Sequence, residues 1–309
     1  MKTTTIGIAY AAGAYAIWGI LPAYWKLVAQ VPAYEILAHR IFWSFIFMIL
    51  VVVLAKHKKQ FYTEVCGLVS ERKKLLAIIM GSILISINWL IYIWAVNNNQ
   101  IIETSLGYYI NPLFSIFLGI LILKERLSFG QILSVVLAAM GVLNMTLQVG
   151  KFPWVALSLA VSFGLYGLCK KITDVSAITS ITLETCIVTP LALLYLVYLE
   201  GQGGGMFSAF TPTAALLAGT GVVTAIPLLL FAGGAKKLTL TILGFIQYLS
   251  PTIALLLGIF LYHETFTAAH LVSFAFIWSA IVLFSLSQGR WFVQKKALLK
   301  NIAVTKERN

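Results

Sequence analysis

The sequence predicts an all-α integral membrane protein of ten transmembrane helices, arranged as two inverted five-helix repeats with both termini cytoplasmic. Three observations carry this expectation: the composition, the placement of basic residues between apolar runs, and a repeat within the chain. Of 309 residues, 60% are hydrophobic and only 10% are charged, and the mean hydropathy is +0.94. A soluble domain carries about 25% charged residues to cover its surface. Lipid-facing helices have no such need.

A spanning helix needs about 20 predominantly apolar residues. Runs of that kind fall near 6–25, 33–54, 76–96, 102–123, 129–147, 153–170, 177–199, 213–232, 240–261 and 267–288. The first lacks a small-residue cleavage site followed by a polar mature domain, so it is read as an uncleaved helix rather than a signal peptide. With the N-terminus inside, alternation places all but Lys26, Arg40 and Lys151 of the 22 Lys and Arg on the cytoplasmic side. Those inside residues include Lys170 and Lys171, read as a cytoplasmic loop. Basic residues are retained in cytoplasmic loops, so the charges support both the count of runs and the orientation. The same placement argues against reading the net charge of +12 as a nucleic-acid surface, because the cations are scattered among short gaps.

The chain also resembles itself. NPLFSIFLGILILKERLSFGQ from Asn111 aligns with SPTIALLLGIFLYHETFTAAH from Ser250, pairing Pro112 with Pro251, Gly119 with Gly258 and Glu125 with Glu264. Gly107 pairs with Gly244 at a slightly shorter offset, and Trp18-Gly19 corresponds to Tyr166-Gly167. Five helices per copy is an odd number, so the second copy crosses the membrane upside down. This is a recurrent architecture of secondary transporters. The expected organisation is a first repeat over 1–148, a second over 149–288 and a basic cytoplasmic tail over 289–309, held near anionic membrane lipid.

These segments resemble the paired repeats of EamA-type transporters in the drug/metabolite transporter superfamily. GAYAIWGILPAYWK from Gly13, EILAHR from Glu35 and INPLFSIFLGILILKERLS from Ile110 resemble its RarD (chloramphenicol-sensitive protein) branch. The resemblance implies ten helices, cytoplasmic termini, a central cavity formed largely by helices other than the fifth and tenth, and transport of small organic solutes.

Ionisable groups inside a membrane are expensive, roughly 2.5–3.5 kcal/mol at mid-span, and have to face protein or a wet cavity. The second run keeps Glu35, His39 and Arg40. Glu35 and His39 are one turn apart and share a face, while Arg40 points about 100° further round. One reading has Arg40 and His39 contacting an anionic or polar substrate while Glu35 or His39 takes a coupling proton. The other has Glu35 at the outer interface and Arg40 in a structural pair. Glu184, at roughly the matching place in the seventh run, is the candidate partner of Arg40. Trp18, Asn88, Tyr92, Tyr108, Tyr109, Asn111, Gln247 and Tyr248 are candidate lining residues, of the type that fix flat or amphipathic solutes, or else packing and interfacial residues. Pro22, Pro112 and Pro251 interrupt runs and are candidate hinges, or simple kinks.

No HExxH, Gly-x-Ser-x-Gly, Walker A or paired aspartates occur, and Asp174 is the sole aspartate. Catalytic residues, a metal site and a cofactor are therefore not expected, and Cys66, Cys169 and Cys186 lack disulfide or zinc spacing. What remains is a non-ATP transporter of the cell membrane acting on a small molecule. The alternative is a membrane protein without transport activity, whether intramembrane enzyme, scaffold or receptor.

Overall fold

The computed structural model describes residues 2–97, 101–149, 152–207, 211–262, 268 and 271–287. The described chain folds as helices: α1 Lys2–Lys26, α2 Ala33–Leu54, α3 Lys58–Ser70, α4 Arg72–Asn97, α5 Ile101–Leu121, α6 Phe129–Val149, α7 Trp154–Ile172, α8 Ala177–Gly201, α9 Pro212–Ala235, α10 Leu240–Gln247 and α11 Leu249–Tyr262. An apolar helix over Leu271–Ser287, α12, follows. Seven of these (α1, α2, α4, α6, α7, α8 and α9) are long and apolar enough to cross a membrane, and the apolar parts of α5, α10–α11 and α12 are shorter. This is a multi-pass membrane protein. Its surface is apolar where a soluble protein would be polar, with Leu54, Phe129, Leu147, Leu191 and Val197 among the exposed side chains. The buried set, by contrast, includes Glu35, Arg40, Asn88, Asn111, Lys170, Glu184 and Gln247.

The polar stretch 55–75, between the second and third runs, forms α3, whose single buried side chain is Leu68. Glu64 on α3 reaches the start of α8, where its carboxylate accepts from the Ser176 backbone N–H and, at 2.8 Å, from the Ser176 hydroxyl. Burial pushes the Glu64 carboxyl up, but the hydrogen bonds from Thr179, Gln60 and Ser176 outweigh it and hold it below its usual range. The contact is therefore complete above the ordinary carboxylate range and lost as pH falls through the lowered value. The ninth run is not one helix: it breaks at Tyr248 into α10 and α11. Pro251 has no N–H to offer the carbonyl of Gln247, and its ring crowds that carbonyl. Glu264 and the tail 289–309 lie outside the described residues, and Glu125 falls just beyond the end of α5.

The described chain divides into two compact units. The smaller contains α6 and α12, which approach closely at Gly141, where a Cβ would lie 2.7 Å from the Ser273 carbonyl. The Asn144 amide donates to the Ser273 hydroxyl there at 2.8 Å. The larger contains the other helices, with α4 against α7, α2 between α8 and α9, and α1 against α9 and α11.

Small residues set the spacing in the larger unit. Gly221 of α9 lies directly against the α2 backbone, so that a Cβ there would collide with Trp43 carbonyl and Ser44 N. Its own carbonyl accepts from the Ser44 hydroxyl at 3.2 Å. The repeat-matched Gly107 and Gly244 likewise admit a neighbouring backbone, Ala156 O and Pro112 O respectively. Where α5 meets α10–α11, the matched tyrosines bond across: Tyr109 OH donates to Pro251 O at 3.3 Å and Tyr248 OH to Tyr109 O at 3.4 Å.

Gly221→Val is expected to lower the thermal midpoint of the purified protein sharply, since backbone rather than a flexible side chain fills the space. Gly67→Ala on exposed α3 meets nothing within 4 Å and should stabilise by up to about 1 kcal/mol through helix propensity. A thermal unfolding series on both variants reads the difference.

Candidate functional site

A cavity of about 110 Å³ lies inside the larger unit. α1 contributes Tyr15, Trp18, Leu21, Pro22 and Trp25; α2 contributes Arg40; α4 contributes Asn88, Trp89 and Tyr92. α5 adds Tyr108 and Asn111, α7 adds Leu159 and Phe163, and the α10–α11 region adds Gln247, Ser250, Pro251 and Ala254. No lining residue belongs to α6 or α12.

Several linings follow directly from helix geometry. Asn88 and Tyr92 are one turn apart on α4 and face the same way. The Asn88 amide donates to Leu159 O at 3.0 Å and to the Ser162 hydroxyl at 2.9 Å, which satisfies its donor end in α7. Tyr108 and Gln247 occupy matched repeat positions, as do Asn111 and Ser250, so equivalent segments of the two halves line one space. Each proline one position further on, Pro112 or Pro251, lacks the N–H that the carbonyl of Tyr108 or Gln247 would accept.

Arg40 is the sole charged residue among those lining residues. Its Nε donates to the Thr224 hydroxyl at 2.8 Å. Its guanidinium lies 4.0 Å from the Trp89 ring centroid and 5.1 Å from that of Trp25. No carboxylate within the described residues comes within ion-pair distance of it. Cation–π contacts are worth about 0.5–2 kcal/mol each, and a hydrogen bond from a charged group about 1.5–3 kcal/mol. Together these match the roughly 2.5–3.5 kcal/mol cost of an arginine at mid-span, so the cation is held in place without a counter-charge.

The expected pairing of Arg40 with Glu184 is not made. Glu184 Oε1 is instead 2.5 Å from Lys170 Nζ and accepts from the Ser180 hydroxyl, while Oε2 accepts from Tyr166 OH at 3.1 Å. Lys170, placed on the cytoplasmic side by the alternation of runs, is only 1% exposed, at the end of α7. A buried carboxylate takes the nearest cation that can be desolvated with it, and Lys170 reaches Glu184 across the α7–α8 turn. This pair lies behind an aromatic cluster of Tyr15, Trp18, Phe163, Tyr166 and Phe231, in which Tyr166 stacks on Phe231.

Glu35 and His39 do share a face, 3.9 Å apart, but neither lines the cavity. Glu35, in the first turn of α2, is fully buried, and its Oε1 accepts from Met206 N at 2.7 Å. His39 stacks on Phe207 at 4.9 Å, so Met206 and Phe207, after the end of α8, cover this face of α2. Glu35 Oε2, His39 Nδ1 and Trp43 Nε1, one turn apart in sequence, are buried without a partner among the described residues. Tyr109 and Tyr248 are likewise withdrawn from the cavity into the α5–α10 interface. The hinge candidates divide: Pro22 and Pro251 line the cavity, while Pro112 sits inside α5.

Sequence reasoning missed Tyr15, Trp25, Trp89, Phe163 and Ser250 as lining residues. Trp25 and Trp89 carried a readable signal, since each adjoins a polar residue already singled out, Lys26 or Asn88. Phe163 and Leu159 carried none, being ordinary apolar residues of an apolar run.

The comparisons with known proteins agree with this architecture. The profile of the EamA-like transporter family matches residues 5–147. The chain is 48% identical to the uncharacterized transporter YojE of Bacillus subtilis, over 93% of this chain and 96% of that one. It is 42% identical to protein RarD of Escherichia coli, over 92% and 95% respectively. A crystal structure aligns with a TM-score of 0.67 at 17% identity, covering 93% of this chain and 98% of its own, a likeness of fold alone.

Removing one member of the buried pair leaves the other charge uncompensated. Lys170→Met is expected to destabilise the protein by about 3–5 kcal/mol, and Lys170→Met with Glu184→Met to recover most of that loss. Thermal unfolding of the single and double variants checks it. A double variant no more stable than the single would mean the pair is not the coupled unit described.

Proposed function

Because the chain belongs to the EamA-like transporter family of the drug/metabolite superfamily, in its RarD branch, we propose that it is a secondary transporter of small organic metabolites or amphipathic compounds. The cavity is the solute site, and alternating access opens it to each side in turn. The observation that carries this reading is the cavity itself: a fixed cation, amides and aromatic walls gathered from both halves of the chain. Apolar walls with a few fixing polar groups are what small-molecule sites require.

Ten crossings in two inverted repeats, with both termini cytoplasmic in the cell membrane, complete the proposal. Support comes from the matched cavity positions, the crossed Tyr109 and Tyr248 hydrogen bonds and the distribution of Lys and Arg. Pro22, Pro112 and Pro251 act as the hinges. Glu35 and His39, buried side by side, are the groups offered to a coupling proton.

The test is purified protein in liposomes, screened with amino acids, other organic acids and chloramphenicol, with and without a pH gradient. Saturable uptake is expected, reduced at least tenfold in Arg40→Ala. No flux of any solute through folded protein would overturn the transport reading. For the topology, a C-terminal fluorescent-protein fusion is expected to fluoresce and a C-terminal alkaline phosphatase fusion to be inactive; the reverse would place that terminus outside.

A further inference from the structure

The hydrogen-bond inventory of the cavity is unbalanced, and the imbalance identifies a ligand. Arg40 spends its Nε on Thr224, and its four Nη hydrogens have no acceptor among the described residues. The Gln247 carbonyl oxygen accepts from Tyr15 OH at 3.4 Å, which leaves its amide N–H groups to the cavity. The Asn111 oxygen accepts from the Ser115 hydroxyl at 3.3 Å, with the same consequence. Three separate side chains thus present donors to one space, and one of them is a fixed cation.

No carboxylate lines that space. The two carboxylates that the sequence offered as candidates are held elsewhere: Glu184 by Lys170, and Glu35 by the Met206 backbone N–H. A ligand ammonium would therefore find no counter-charge, only neutral oxygens such as those of Asn88, Tyr92, Tyr108 and Ser250, and Arg40 already occupies the faces of Trp25 and Trp89. A carboxylate suits the site on every count. It is acceptor-only, matches a guanidinium fork in bidentate geometry, and its single charge equals the single uncompensated charge present. Size narrows the choice further. An engineered cavity of about 150 Å³ holds a benzene ring, and this one, at about 110 Å³, admits a compact molecule.

We propose that the cavity binds a small organic monocarboxylate, its carboxylate on the Arg40 Nη groups within reach of the Asn111 and Gln247 amides, and its apolar body against Trp18 and Phe163. The assignment rests on the reading of this cavity as the solute site and adds the charge class of the solute. It excludes organic cations, and it disfavours zwitterions, whose ammonium has no counter-charge here. Thr224 is a positioning residue, fixing the guanidinium so that its fork faces inward.

The test is equilibrium dialysis of the full-length purified protein against radiolabelled probes matched in shape and differing in charge. These are butanoate, butanamide and butylamine, with benzoate and benzamide as an aromatic pair. At least one carboxylate is expected to bind tenfold or more tightly than its amide, with butylamine not detectably bound. Arg40→Gln should abolish the preference, Arg40→Lys should keep its sign at reduced size because the fork is lost, and Thr224→Val should weaken the carboxylate selectively. Thermal unfolding confirms that each variant is folded, and Arg40→Lys carries the test if Arg40→Gln is not.

Amides bound as tightly as their carboxylates, a preference surviving Arg40→Gln, or binding of no probe at all would each overturn the proposal. Saturable flux of neutral or cationic solutes in the liposome screen, without any for carboxylates, would overturn this assignment while leaving the transport reading standing. Absence of flux for every solute would remove both.

Discussion

Arg40 has to remain charged inside a bundle whose exterior is hydrocarbon, and much of the interior is arranged around that demand. The guanidinium is sandwiched by indole faces from α1 and α4 and tethered to a hydroxyl on α9. Three helices therefore converge on one side chain of a fourth. None of these partners cancels the charge. Each lowers the cost of the buried charge without neutralising it.

That convergence is possible because helices approach closely at small residues. In a membrane, association between helices is driven by packing and hydrogen bonding rather than by removing apolar surface from water. Gly221 brings the α9 backbone against α2, next to the turn from which Thr224 reaches Arg40. Gly107 and Gly244 do the same where α5 meets α7 and α10. The glycines, more than any large side chain, set the distances at which the polar groups meet.

Polar groups away from the cavity are handled in two different ways. Lys170 and Glu184 neutralise each other, with Ser180 and Tyr166 taking up remaining capacity, so the pair is self-contained. The Glu35–His39–Trp43 stripe is not self-contained, because three buried polar atoms there have no partner among the described residues. Burying an unsatisfied polar group is costly, which sets this stripe apart from the Lys170–Glu184 pair.

The sequence by itself determined the class of fold and the neighbourhood of the site. Apolar run length, basic residues between runs and an internal repeat are linear properties, and each was readable without coordinates. Over their described residues the expected runs fall on helices, with one divided at Tyr248 where Pro251 removes a donor. Arg40, Asn88, Tyr92, Tyr108, Asn111 and Gln247 were legible as cavity candidates because a polar group in hydrocarbon needs a reason to be there. What only the tertiary structure decided was partnership. Whether Glu184 faces Arg40 or Lys170, whether His39 looks into the cavity or under Phe207, and which tryptophans flank the guanidinium depend on how each helix is rotated about its axis. That rotation is set by contacts between helices distant in sequence, such as Gly221 against Trp43, and no local pattern encodes it.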